Sequence, residues 1–268
     1  MAQHSAHHTL STKPRPRKRS DTLKPWSWFD VVSMSVALVV SSGLTALVLS
    51  NRLTTLLPEI GQVGVRIALL VVFYLFELLG LVWLAHRREL TFAQAYRLKP
   101  EPAGTATRAG TSSPETKTYP AWTTALLTVG LLIALRAVGI AYNAVTSGLG
   151  WPAPSSESMT ALFGNSLYGL AGALVSVVLL APVIEELVFR VIMQETFAKK
   201  VAPLLAIVLQ ALIFSVYHLS LWAALPNLLL ALATGWLAAR SRSIWPALIL
   251  HISYNAVVVA AAFYLALT

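Results

Sequence analysis

Long apolar runs, separated by short stretches of polar, glycine or proline residues, occupy most of this chain and set its architecture. Runs at about 31–49, 63–85, 122–146, 202–220, 223–239 and 244–266 approach or exceed the roughly 20 residues that a helix needs to cross the hydrocarbon of a membrane. A further run begins near residue 162 and continues through Glu185 and Glu186 towards Lys199 and Lys200. Nearly forty residues would make about 60 Å of helix, about twice the hydrocarbon thickness. That segment must therefore tilt, kink near Pro182 or leave the bilayer as an interfacial piece. The pattern predicts an all-α fold, a polytopic transmembrane helical bundle of about seven spanning helices. No internal repeat of the kind that marks many transporters is visible.

The polar segments divide the chain. Residues 1–28 carry six Lys and Arg among prolines and serines, the composition of a disordered cytoplasmic tail. His4, His7 and His8 are scattered within it and form no metal site. Trp26 and Trp28 suit a membrane interface at the start of the first span. A polar loop at about 86–120 is a second basic segment, with a short amphipathic piece around Leu90–Leu98 expected to lie on the membrane. Residues 147–160 hold Gly, Pro and Ser but no Lys or Arg, which places them outside. The organisation read from this is a tail (1–28), N-terminal spans (29–160) and a C-terminal transmembrane region (161–268). Counting basic residues turn by turn puts the N-terminus in the cytoplasm and the C-terminus outside the cell membrane.

Composition sharpens the picture in three places. The chain has 268 residues, 56% hydrophobic and 12% charged, against roughly a quarter charged in soluble domains. The formal net charge of +9 sits where topology requires it, so the partner it implies is the bilayer and not nucleic acid. The absence of cysteine excludes disulfides, thiolate metal sites and a cysteine nucleophile. The first apolar run is too long for a signal-peptide core, and no cleaved signal is expected. The sequence is silent on oligomeric state.

A few ionisable groups interrupt the apolar runs, and each costs roughly 2.5–3.5 kcal/mol at membrane depth on insertion scales. Arg66 and Glu77 lie eleven apart in the second run, three turns and one face, and suit structural pairing; Arg136 sits in the middle of the third. The densest group is Glu185, Glu186 and Arg190. Glu186 and Arg190 are four apart and share a helix face, which favours an ion pair. Glu185 lies about 100° around the axis and points elsewhere. His218 follows Phe214 at i+4, and His251 and Asn255 are likewise i and i+4. Singly, each has a plain reading as a satisfied core group or as interhelical glue. Together they come from three helices, and convergence would place a carboxylate, two imidazoles and an amide in one cavity.

Those groups suit hydrolysis of an amide in either of two ways. Glu185 with histidine can activate water directly as general base, histidine and asparagine donating to the oxyanion. Alternatively Glu185, His218 and His251 bind zinc, whose water attacks. The chain lacks the H-E-x-x-H of helical zinc proteases and the G-x-S-x-G of a nucleophile elbow. Helical rise leaves one tension. His218 falls about 27 Å from Lys200 and His251 about 10 Å from Ile244, so their depths disagree unless the fifth helix tilts or starts outside the bilayer.

Glu185-Glu186-x-x-x-Arg190, Phe214-x-x-x-His218 and His251-x-x-x-Asn255 resemble the three motifs of the CAAX-processing and bacteriocin-immunity family, also called CAAX prenyl protease 2-like. The resemblance spans about residues 165–260, with Ala181-Pro182 ahead of the glutamates and Gly235 in the next-to-last span; Val191 stands where the family usually has glycine. It implies an intramembrane endopeptidase whose site opens towards the cytoplasm. By position Glu185 would be the base, Glu186 and Arg190 would order the site, and His218 would orient water or a metal. His251 and Asn255 would stabilise the oxyanion. The implied mechanism needs no cofactor, and the implied partner is a membrane-associated or lipidated peptide or protein. A non-catalytic immunity or regulatory protein on the same scaffold, or a small transporter using buried Glu and His as a proton relay, are the other readings.

Overall fold

Backbone polar groups in lipid must be satisfied within their own segment, so the apolar runs can persist there only as helices. The structure, a computed structural model, describes residues 26–50, 59–98, 120–151 and 156–267. The tail to residue 25 with its three histidines, and most of the polar loop with Arg108 and Lys117, lie outside the described residues. The elements are α1 (Trp28–Ser50), α2 (Glu59–Arg87), α3 (Phe92–Ala95), α4 (Ala121–Gly148) and α5 (Ser156–Phe163). They continue with α6 (Leu167–Phe197), α7 (Pro203–Tyr217), α8 (Leu221–Ser241) and α9 (Trp245–Leu267). Among the described residues there is no strand. Helices α2, α4, α6, α8 and α9 are long and apolar enough to cross a membrane, while α7 and residues 28–44 of α1 are shorter apolar stretches. Val36, Val40, Phe76, Leu79, Ile133 and Ile140 are among the large apolar residues left exposed, as a lipid-facing surface requires. The protein is a membrane-embedded helical bundle.

The long run expected from residue 162 is two helices. Gly164 at φ +71 takes the left-handed backbone that glycine adopts without strain, and Ser166 then caps α6 by accepting from the Gly169 amide at 3.2 Å. Helix α6 passes through Pro182 without stopping, flanked by π-helical turns at Leu174–Leu180 and Leu187–Met193. Proline has no amide hydrogen, and its ring crowds the carbonyl four residues back. The wider turn before it accommodates the ring, and the Ala181 amide bonds to the Ser176 carbonyl, five residues back.

One end of the bundle is knitted together. Lys199 Nζ donates to the Trp26 carbonyl, Arg88 pairs with Asp30, and Arg97 pairs with Glu195 at 3.2 Å. Trp26 stacks on Tyr96 with centroids 5.4 Å apart, and Trp245 Nε1 donates to the Leu98 carbonyl at 2.8 Å. The segment Leu90–Leu98 does not simply lie on the membrane: Ala95 and Tyr96 are fully buried, and Tyr96 Oη donates to the Leu81 carbonyl at 2.7 Å. The largest apolar core lies at this end, around residues 184–197 of α6, with Trp26, Leu84, Tyr96, Ala206 and Ile244 among its members.

Candidate active site

Positions 186, 190 and 194 recur at i, i+4 and i+8 on one face of α6, all buried. Arg190 grips Glu186 with two hydrogen bonds, Nε to Oε2 at 3.0 Å and Nη2 to Oε1 at 3.1 Å. Its Nη1 donates to Gln210 Oε1 on α7, and the guanidinium lies 5.1 Å from the Phe214 ring centroid. Gln210 in turn donates to the carbonyls of Ile207 and Ala231 at 2.9 and 3.2 Å. From α9, His251 Nδ1 donates to Glu186 Oε1 at 2.9 Å. Glu186 is thus held by α6 and α9 and, through Arg190, by α7.

Glu185 is placed differently. Its Oε2 lies 3.6 Å from His251 Nε2 and its Oε1 lies 3.9 Å from His218 Nε2. Both separations exceed a direct hydrogen bond and suit groups that share an intervening water. The tautomers follow from the outer partners. His218 Nδ1 contacts the Phe214 carbonyl at 2.8 Å, an acceptor only, so that nitrogen carries the proton. His251 Nδ1 faces a carboxylate and carries one likewise. In the neutral rings both Nε2 lone pairs therefore face Glu185. Phe214 packs beside both, with centroids 4.6 Å from His218 and 5.8 Å from His251.

Glu185, His218, His251 and Asn255 line a cavity of about 750 Å³, with Arg136 and Tyr254 also in its wall. The Arg136 guanidinium sits 5.2 Å from the Tyr254 ring centroid. Asn255 reaches the site by another route: its Nδ2 donates to the Val177 carbonyl at 2.9 Å. In the π register of α6 that carbonyl would be served from position 182, where proline has no hydrogen to give. Asn255 fills the vacancy with one of its two amide hydrogens. Among the described residues no three His, Asp or Glu side chains are grouped so as to hold a metal.

The depth mismatch between the histidines disappears for two reasons. Helix α7 has 15 residues, about 22 Å by helical rise, and ends at Tyr217 with His218 as its cap. Helix α9 begins at Trp245, whose Nε1 donates to the Leu98 carbonyl, and Ser243 and Ile244 before it are buried, so Ile244 does not mark the outer surface of the protein. Gln210 and Gln194 were not singled out by sequence reasoning. Their signal was present: Gln210, Phe214 and His218 are i, i+4 and i+8, as are Glu186, Arg190 and Gln194. Gln194 Nε2 donates to the Gly235 carbonyl at 3.1 Å, and a Cβ on Gly235 would lie 2.7 Å from Gln210 and 2.9 Å from Gln194. Glu77 takes the structural role expected, accepting from Ser41 on α1.

Residues 167–257 match a family model described as Rce1-like, Type II CAAX prenyl endopeptidase Rce1-like. No curated protein and no solved structure matches the chain. The matched stretch contains Glu185, Glu186, Arg190, His218, His251 and Asn255. Over this C-terminal region the match supports the CAAX prenyl protease 2-like, or CPBP, family that the three motifs resemble.

Proposed function

We propose that the protein is an intramembrane endopeptidase that hydrolyses a peptide bond of a membrane-associated substrate with a glutamate-activated water. The observation that carries this reading is the division of labour between adjacent carboxylates. Glu186 is saturated by Arg190 and His251, whereas Glu185 has no partner at hydrogen-bond distance among the described residues and lines the cavity. A water that donates one hydrogen to Glu185 and the other to His218 Nε2 presents its lone pair to a carbonyl in that cavity. Glu185 takes the proton as the carbon–oxygen bond forms and delivers it to the leaving nitrogen as the carbon–nitrogen bond breaks. His251 Nε2 faces the same space, beside the position of the oxyanion. Asn255 has one amide hydrogen remaining for the same oxygen. The Glu186–Arg190–Gln210 chain fixes His251 in place, and no metal takes part.

Terminal-peptide proteomics on membranes carrying wild type or Glu185→Gln at equal abundance tests this reading. New termini present only with wild type are the expected result. Identical termini in the native host, with both proteins folded, would favour a non-catalytic immunity or regulatory role instead.

A further inference from the structure

The cavity has a direction, and so does the charge of the bundle. On α6 its wall is Val177, Ala181 and Glu185, with nothing between Glu185 and Phe197. On α9 it runs from His251 through Asn255 to Ala262, towards the C-terminus. On α4 it includes Asn143 and on α8 Trp222, each on the side of the site remote from Phe197 and Trp245. His251 and Glu185 therefore form its floor. Behind that floor lie buried Leu187, Val188, Val191 and Ile192, and behind them the knitted end that joins Trp26, Arg88, Leu98, Lys199 and Trp245. The site is plugged at one end of the bundle and extends towards the other.

The plugged end is the basic end. Arg87, Arg88, Arg97, Lys199, Lys200, Arg240 and Arg242 all lie there among the described residues, and by sequence six more Lys and Arg precede Trp26 and three more fall between Leu98 and Pro120. The described connections at the opposite end hold no Lys or Arg, and by sequence the stretch between Ser50 and Glu59 adds Arg52. Short loops rich in Lys and Arg stay in the cytoplasm. We infer that the site receives its substrate from the non-cytoplasmic side of the membrane, as a peptide segment in the outer half of the bilayer or beyond it. The inference rests on the peptidase reading and reverses the side that the family resemblance implies. A lipidated C-terminus exposed in the cytoplasm would meet the plug and not the cavity.

The cysteine-free chain allows single cysteines to be placed at will. Ser147→Cys marks the far end of α4, Asn143→Cys the cavity and Lys200→Cys the basic end. Intact cells are treated with a small, charged, membrane-impermeant thiol reagent, with and without permeabilisation. Labelling of Ser147→Cys and Asn143→Cys in intact cells, and of Lys200→Cys only after permeabilisation, is the expected pattern. Labelling of Lys200→Cys in intact cells overturns the orientation. Labelling of Ser147→Cys without Asn143→Cys, in folded protein, overturns the direction in which the cavity opens. Labelling needs no catalysis, so the expected pattern in a protein that cleaves nothing would sink the peptidase reading and leave only the orientation and the direction of the cavity standing.

Discussion

Arg190 is 1% exposed and links Glu186 to Gln210, so its removal leaves a carboxylate and an amide without partners inside the bundle. Breaking a buried ion pair by removing one partner costs about 3–5 kcal/mol. Arg190→Ala should therefore lower abundance and thermal stability as well as any activity, whereas Glu185→Gln should leave stability near wild type. Denaturation in detergent read by tryptophan fluorescence checks both; a stable Arg190→Ala protein would contradict the ion-pair account. Gln210→Ala should fall between, near the roughly 1–3 kcal/mol for an unsatisfied buried group. The motif spacings alone indicated which glutamate would be paired and which free, because i, i+4 geometry separates Glu186 from Glu185 around the axis. They did not reveal Gln210 as the third partner, although it shares the face of His218. An amide in an apolar run looks like ordinary interhelical glue until its neighbour is known.

At the scale of the element, α6 is the least legible part of the sequence. Its length was apparent, and Pro182 marked the place where a straight α-helix would fail. The remedy, π turns on either side and a side chain from α9 bonded to the Val177 carbonyl, depends on hydrogen-bond register, which leaves no periodicity to read. The pairing of Asn255 with Val177 carries a specific prediction. Asn255→Ala should destabilise wild type by about 1–3 kcal/mol, through the unsatisfied carbonyl. In a Pro182→Ala background, position 182 gains an amide hydrogen and the same substitution should cost less; a double-mutant cycle measures the difference. Equal costs in both backgrounds would remove the carbonyl-capping role. Gly235 on α8 is constrained in a second way, because any Cβ meets Gln210 and Gln194 at under 3.0 Å. Gly235→Val should cost about 1–3 kcal/mol or more by overpacking, and should misplace Arg190 through Gln210. Wild-type stability in that variant would show the α7–α8 approach to be looser than described.

For the whole molecule, the apolar pattern carried most of the architecture. An all-helical bundle with spans near the predicted boundaries was legible because lipid leaves helices no alternative. What sequence could not supply was depth. Helix α7 ends at Tyr217, short of the expected 220, and its packing with α9 brings His218 and His251 to the same carboxylate. The direction of the cavity was equally hidden, since it depends on which half of the bundle the core fills.

The central claim is that Glu185, without a metal, activates the attacking water. Its most direct measurement uses purified protein in liposomes and a peptide spanning a cleavage site found by the terminal-peptide experiment. Release of the new amino terminus is followed with and without a zinc chelator. Cleavage unchanged by chelator and lost by a factor of about 10² or more in Glu185→Gln, at equal thermal stability, is the predicted result. Loss of cleavage on chelation with recovery on added zinc, or a fully active Glu185→Gln protein, would contradict the account.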